Sequence, residues 1–280
     1  PHRTVFFVSE STGITAGTLG HSLLSQFEQT VDFKTVHMPY INTIEKAREL
    51  VAELRELTAE NGEKPVVFAT MLDKEIDAIM REASCHYYEL FSGYLKQLSE
   101  AIGVTPSYRF GLSHGISNAR SYDKRMDVVN YSLTHDDGMI LNDLDEADII
   151  LVGVSRSGKT PTSLYLALQF GIKAANYPLT EEDFERGGFP DVLLSNRDKL
   201  VAITIDPLRL QEIREKRRPG SKYASMRVCQ QEVRQAERYF SRYKLPVLDS
   251  TTRSIEELAS QIVRVHHLQH PVTRPRANHE

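Results

Sequence analysis

The chain has 280 residues, of which 26% are charged and 40% hydrophobic, and its net charge is −4. That balance is ordinary for a globular protein of one large or two modest domains, and it excludes a polycation that binds nucleic acid by bulk attraction. Two cysteines, Cys85 and Cys229, with no CxxC argue against a disulfide framework and fit a reducing cytoplasm; no apolar run approaches the roughly 18 residues of a membrane span.

Strand and helix patterns alternate through the first hundred residues. Strands are expected at 4–8, 32–38, 65–70 and 87–90, from aromatic and β-branched runs closed by turn residues. Helices are expected at 14–27, 43–60, 73–84 and 93–102, with Ile14, Leu19, Leu23, Leu24 and Phe27 able to share one face of the first. The alternation predicts a mainly parallel sheet covered by helices on both faces, in an N-terminal domain of residues 1–102. The turn Ser9-Glu-Ser-Thr-Gly13 lies between strand and helix. It reads either as a weak anion site or as an ordinary capped connection.

Residues 103–145 are less periodic and form a connecting segment. Within it 122–134 has helical spacing, with Met126, Val129 and Leu133 on one side, and His135-Asp-Asp-Gly138 follows. The C-terminal domain, 146–267, alternates again. Strands are expected at 149–152, 172–177, 200–206 and 246–249, with helices at 161–170, 207–218, 222–242 and 254–265. Residues 268–280 read as a tail, and a frayed end accounts for His266, His267 and His270 better than a metal site does. The whole is an α/β chain of two domains, the second built for nucleotide binding.

That reading rests on residues 147–160. The apolar run Ile149-Ile-Leu-Val152 is followed by Gly153-Val154-Ser155-Arg156-Ser157-Gly158-Lys159-Thr160 and then by a helix carrying Pro161 in its first turn. This is the Gly-x-x-x-x-Gly-Lys-Thr phosphate loop in the strand–loop–helix setting that gives the pattern meaning. Glycines let backbone N–H groups approach phosphate oxygens, Lys159 supplies a mobile cation, and Thr160 offers a hydroxyl to Mg²⁺. Arg156, inside the loop, is a further phosphate contact.

Other residues bear chemistry with an alternative beside them. Asp206 ends an apolar strand, where a carboxylate can hold Mg²⁺, yet Asp206-Pro207 is equally a helix start. Asp136 and Asp137 suit a general base or a metal relay, or a tight turn; neighbours along a chain point apart, so sequence does not rank them. Arg209, Arg214, Lys216, Arg217 and Arg218 share a short helix, as an anion grip or as a solvated charged face.

Several of these stretches, together with Phe170-Gly-Ile-Lys-Ala-Ala-Asn-Tyr-Pro178, Ile213-Arg-Glu-Lys-Arg-Arg218, Tyr223-Ala-Ser225 and Ser11-Thr-Gly-Ile-Thr-Ala16, give the chain a resemblance over nearly its whole length. It resembles the dikinase regulatory proteins, a family of bifunctional kinase/pyrophosphorylases. The resemblance implies a homodimer that uses ADP to phosphorylate a threonine of a target dikinase, switching it off. It also implies removal of that group with inorganic phosphate, releasing pyrophosphate. Gly158 and the His-Asp-Asp-Gly block favour the branch acting on phosphoenolpyruvate synthase (pyruvate, water dikinase) over that acting on pyruvate, phosphate dikinase. The implied ligands are ADP, inorganic phosphate and Mg²⁺, with residues 153–160 as the nucleotide loop and Thr160 and Asp206 toward the metal. Lys159, Arg156 and one of Asp136, Asp137 and Asp206 would carry the chemistry. Glu10 departs from the aspartate the family pattern carries there. A small-metabolite kinase using ATP and a non-catalytic nucleotide-gated interaction module are the competing readings.

Overall fold

A computed structural model describes residues 2–108, 119–136 and 142–266, with backbone alone for 119–124. The chain divides into two compact units, Pro1–Ser117 and Asn118–Glu280. No helix among the described residues is long and apolar enough to cross a membrane.

The first unit contains β1 (His2–Ser9), α1 (Ile14–Leu24), β2 (Asp32–Met38), α2 (Ile44–Asn61), β3 (Val66–Thr70), α3 (Lys74–Met80), β4 (His86–Glu89) and α4 (Ser92–Ile102). Its four strands are parallel in the order β2-β1-β3-β4. Alternate residues of β1 serve opposite faces. Phe6 and Val8 join Leu50, Leu54, Ile76 and Met80 of α2 and α3, while Val5 and Phe7 join Ala16 and Leu24 of α1.

Helix α1 corrects an expectation. Ile14, Leu19, Leu23 and Phe27 are exposed, and the helix turns Ala16, Gly17, Gly20 and Leu24 inward. The reason is distance: a Cβ on Gly20 would stand 2.3 Å from Phe7 Cε1, so the small-residue face is the one that fits against the sheet.

The second unit contains α5 (Ala119–Thr134), β5 (Ile149–Val154), α6 (Lys159–Tyr165), β6 (Ala174–Leu179), α7 (Glu181–Arg186), α8 (Asp191–Ser195), β7 (Leu200–Thr204), α9 (Pro207–Arg217), α10 (Met226–Arg242), β8 (Val247–Asp249) and α11 (Ile255–Val265). Its strands are parallel in the order β6-β5-β7-β8, the same winding as in the first unit. All six residues of β5 are buried because both sheet faces are covered, which is why it reads as a continuous apolar run. Ile150, Val152 and Val154 pack with Cys229, Val233 and Phe240 of α10; Ile149 and Leu151 pack with Leu258 and Ile262 of α11.

Two details differ from expectation. Strand β6 runs past Pro178, which a strand at the sheet edge tolerates because a missing N–H breaks no ladder on its open side. Helix α5 buries Tyr131 and Ser132, leaving Met126 and Leu133 exposed.

Candidate functional site

In the second unit β5 lies between β6, which follows it in the chain, and β7, which comes later. Crossovers leave β5 in opposite directions there, and the carboxyl ends of β5 and β7 form the crevice where such sheets bind ligands. Residues 153–160 occupy that place.

The two glycines do different work. Gly158 has φ 88°, the left-handed region that side chains resist. Gly153 has no such φ, but a Cβ there would stand 2.3 Å from Ile203 O of β7, so it permits close approach between strands. Between them Ser157 N–H donates to Val154 O at 3.3 Å, closing a turn whose third residue, Arg156, has φ 75°. Positive φ there, with Ser155 outside the positive region, marks a type II turn, where that position normally belongs to glycine.

Lys159 is buried, and its Nζ donates to Val154 O at 2.8 Å, so the ammonium is folded onto the loop's own backbone. Thr160 Oγ1 donates to Asp136 Oδ1 at 2.9 Å. Asn176 of β6 donates from Nδ2 to the same Asp136 oxygen at 2.5 Å and to Thr160 Oγ1 at 2.8 Å. The carboxylate fixes the orientation of the amide, since only the nitrogen can face it. Asn176 Oδ1 is thereby left buried with no hydrogen-bond partner among the described residues, as is the loop hydroxyl Ser157 Oγ. Asp136 is brought to the loop; Asp137 lies outside the described residues.

His135 is structural. Its ring stacks on Tyr131 with centroids 4.0 Å apart, its nitrogens lie 2.9 Å from Tyr131 O and Asn142 O, and its own carbonyl accepts from Asn176 N. These contacts set the backbone that presents Asp136.

Asp206 serves as the cap of α9: Oδ1 accepts from Leu208 N at 2.9 Å and Arg209 N at 3.1 Å. It stands two residues past β7, at the same sheet edge as the loop. Arg156 is exposed. Arg209 and Arg217 are exposed too, but Arg214 is completely buried. Its Nη2 donates to Ser155 O at 3.1 Å and to Glu232 Oε2 at 2.6 Å, and Nη1 donates to Tyr223 O at 3.1 Å. Tyr223 lays its ring 4.0 Å from that guanidinium and donates its hydroxyl to Ser155 Oγ at 2.9 Å. Arg214 is therefore neither an anion grip nor part of a solvated face.

Asn176, Tyr223 and Glu232 are the site residues that sequence reasoning missed, and Arg214, singled out with its helix, was given neither its burial nor its partners. The signals were faint: one amide in an apolar strand, and an arginine four residues after the buried Leu210, hence on the inward side of its helix. Burial pushes the thiols of Cys85 and Cys229 up, away from nucleophile character. Among the described residues no cluster of three His, Cys, Asp or Glu side chains could hold a metal.

In the first unit the corresponding turn is differently furnished. Glu10 is buried and its carboxylate accepts from Leu72 N at 2.7 Å and Asp73 N at 2.9 Å, tying the end of β1 to the start of α3. Thr70 Oγ1 donates to Ser9 Oγ at 2.9 Å, and Gly13 adopts φ 77°.

Fold and loop together define a two-unit, parallel α/β protein with a Gly-x-x-x-x-Gly-Lys-Thr loop at the switch point of its second sheet. The chain belongs to the kinase/pyrophosphorylase family, whose model matches residues 5–263. A protein of Thiocapsa roseopersicina is 53% identical over 263 residues, covering 94% of this chain and 97% of its own. One from Bordetella parapertussis is 48% identical over 262 residues (94% and 95%), and one from Hahella chejuensis 47% over 261 (93% and 96%). All three carry the name phosphoenolpyruvate synthase regulatory protein.

Proposed function

We propose that the protein switches phosphoenolpyruvate synthase off and on at one threonine, with ADP as phosphoryl donor in one direction and inorganic phosphate as acceptor in the other. The observation that carries the reading is the arrangement at residues 153–160. There a glycine-bounded loop, a buried lysine and a hydroxyl–carboxylate pair meet at the carboxyl edge of a parallel sheet. Family membership supports phosphoryl transfer, and the names of the relatives support the target.

In the kinase direction the diphosphate of ADP lies on the loop amides. Lys159 leaves Val154 O for the β-phosphate, and Arg156 reaches the same charge from the loop's exposed side. The threonine oxygen attacks the β-phosphorus, the bond to the bridging oxygen breaks, and AMP leaves. The threonine proton passes to a carboxylate. Asp136 and Asp137 are the candidates, and Asp136 already spends one oxygen on Thr160 and Asn176. In the reverse activity an oxygen of inorganic phosphate attacks the phosphothreonine phosphorus. The bond to the threonine oxygen breaks, the proton returns there, and pyrophosphate leaves.

The residues fit Mg²⁺, which takes one or two carboxylates, phosphate oxygens and several waters. Thr160 Oγ1 and the Asp136 carboxylate would hold it, and the orphaned Asn176 Oδ1 would accept a hydrogen bond from one of its waters. Bound there, Mg²⁺ would draw charge from the phosphate oxygens. Asp206, engaged as a helix cap, is a weaker candidate ligand. The reading also places the protein in the cytoplasm as a homodimer; a monomer on sedimentation would remove that part.

The test is to incubate the protein with purified synthase, Mg²⁺ and β-labelled ADP, then chase with phosphate. Label on a synthase threonine, released as pyrophosphate, is the expected result. Turnover without the synthase would favour a small-metabolite kinase, and nucleotide binding without transfer would favour a non-catalytic module. Loss of both activities in Lys159→Ala is expected if they share the loop.

A further inference from the structure

We infer that Arg214 is a positioning residue that holds one peptide of the phosphate loop in its flipped orientation, so that the Arg156 N–H faces the anion. The inference rests on the reading of residues 153–160 as a phosphate loop.

Type I and type II turns differ mainly by a half-turn of their central peptide, which here joins Ser155 to Arg156. Type II requires positive φ at the third residue, and Arg156 has φ 75°. A side chain in that region is strained, and such strain persists only where the surroundings over-determine it. The surroundings here are Arg214. It is wholly buried, reaches in from α9, and donates from Nη2 to the oxygen of that same central peptide, Ser155 O. Glu232 and the Tyr223 carbonyl anchor the other guanidinium contacts, and the Tyr223 hydroxyl holds the Ser155 side chain from the same side.

A trans peptide is planar, with its C=O and N–H pointing in opposite directions. Turning Ser155 O inward to a fully buried arginine therefore turns Arg156 N–H outward, to the exposed side of the loop, where Arg156 itself is exposed. Backbone N–H groups so fixed bind an anion without reorganising first. Relaxation to a type I turn would relieve Arg156 and remove that donor. The sequence thus uses an internal arginine to impose what glycine at position 156 would adopt freely.

That equivalence supplies the test. Affinity for ADP and for pyrophosphate is measured by calorimetry in wild type, Arg214→Gln, Arg156→Gly and the double variant, with thermal unfolding alongside. Arg214→Gln is expected to weaken binding about tenfold or more, as loss of a hydrogen bond from a charged donor implies. In the Arg156→Gly background the same change is expected to weaken it less than about threefold, because glycine adopts the flip without strain. Equal losses in both backgrounds, or unchanged affinity in Arg214→Gln, would overturn the inference. Should Arg214→Gln not fold, Glu232→Gln, which frees one end of the guanidinium, replaces it with the same expected rescue and the same overturning result. Lys159→Ala separates this inference from the reading beneath it. Binding unaffected by Lys159→Ala sinks the phosphate loop itself, whereas binding lost there but indifferent to Arg214 sinks only the clamp.

Discussion

The loop glycines offer a sharp test, because the structure gives them opposite reasons to be glycine. At Gly153 an added Cβ would stand 2.3 Å from Ile203 O and 3.1 Å from Ser157 Oγ. The first is roughly 1 Å short of the ~3.3 Å at which carbon and carbonyl oxygen ordinarily meet. The obstacle is backbone of a central strand, so β5 and β7 must separate where the loop begins. Forcing a methyl into packed surroundings costs about 1–3 kcal/mol. For a domain of this size each kcal/mol lowers the melting temperature by roughly 2–4 °C. Gly153→Ala is therefore expected to melt several degrees lower and to bind ADP more weakly, since the displaced strand carries the loop. At Gly158 the nearest atom to an added Cβ is Ser250 Cβ at 3.9 Å, so there is room, but φ is 88°. Asparagine tolerates that region, so Gly158→Asn should keep more stability than Gly158→Val, whereas at Gly153 asparagine should fare no better than alanine. Thermal unfolding of the four variants decides. A Gly153→Ala protein that melts with wild type would refute the close-approach argument.

Other expectations follow from single contacts. Asp206→Asn should leave stability nearly unchanged, because asparagine caps a helix as well as aspartate does, and Asp206→Ala should lose about 1 kcal/mol; if Asp206→Asn instead loses Mg²⁺ dependence, the residue is a metal ligand. Gly20→Ala pushes a methyl to 2.3 Å from Phe7 Cε1 and should destabilise the first unit by about 1–3 kcal/mol in chemical denaturation; an unchanged midpoint would show that α1 is free to shift. With both thiols raised by burial, little thiolate exists near neutral pH, so iodoacetamide should label the native protein slowly at pH 7 and faster as pH rises, with half-buried Cys85 before Cys229. Rapid labelling of Cys229 in the folded protein would contradict its packing against α9.

Element order and strand direction were legible because they rest on local signals. β5 declared itself through a continuous apolar run, α11 through Ser254 and Glu257, which form the capping box their spacing suggests, and the loop through its glycines. What sequence could not carry was orientation that depends on a distant partner. Nothing local to α1 says that Gly17 and Gly20 face the sheet; that follows from the bulk of Phe7 beneath. In the charged run of α9 only the four-residue spacing from Leu210 hints at Arg214, whose burial is tolerable because Glu232 and two carbonyls meet it there. That Asp136 lies beside the loop could not be read locally either; it follows from its contacts with Thr160 and Asn176. Asp206 shows the reverse, a residue whose conspicuous strand-end position is already accounted for by capping.

The central claim is that residues 153–160 hold the diphosphate of the phosphoryl donor. Its most direct test is a crystal structure with ADP and Mg²⁺. The account predicts the β-phosphate against the amides of residues 156–160, with Lys159 Nζ moved from Val154 O to a phosphate oxygen. Nucleotide bound elsewhere, with Lys159 still on Val154 O and the loop unchanged, would contradict it.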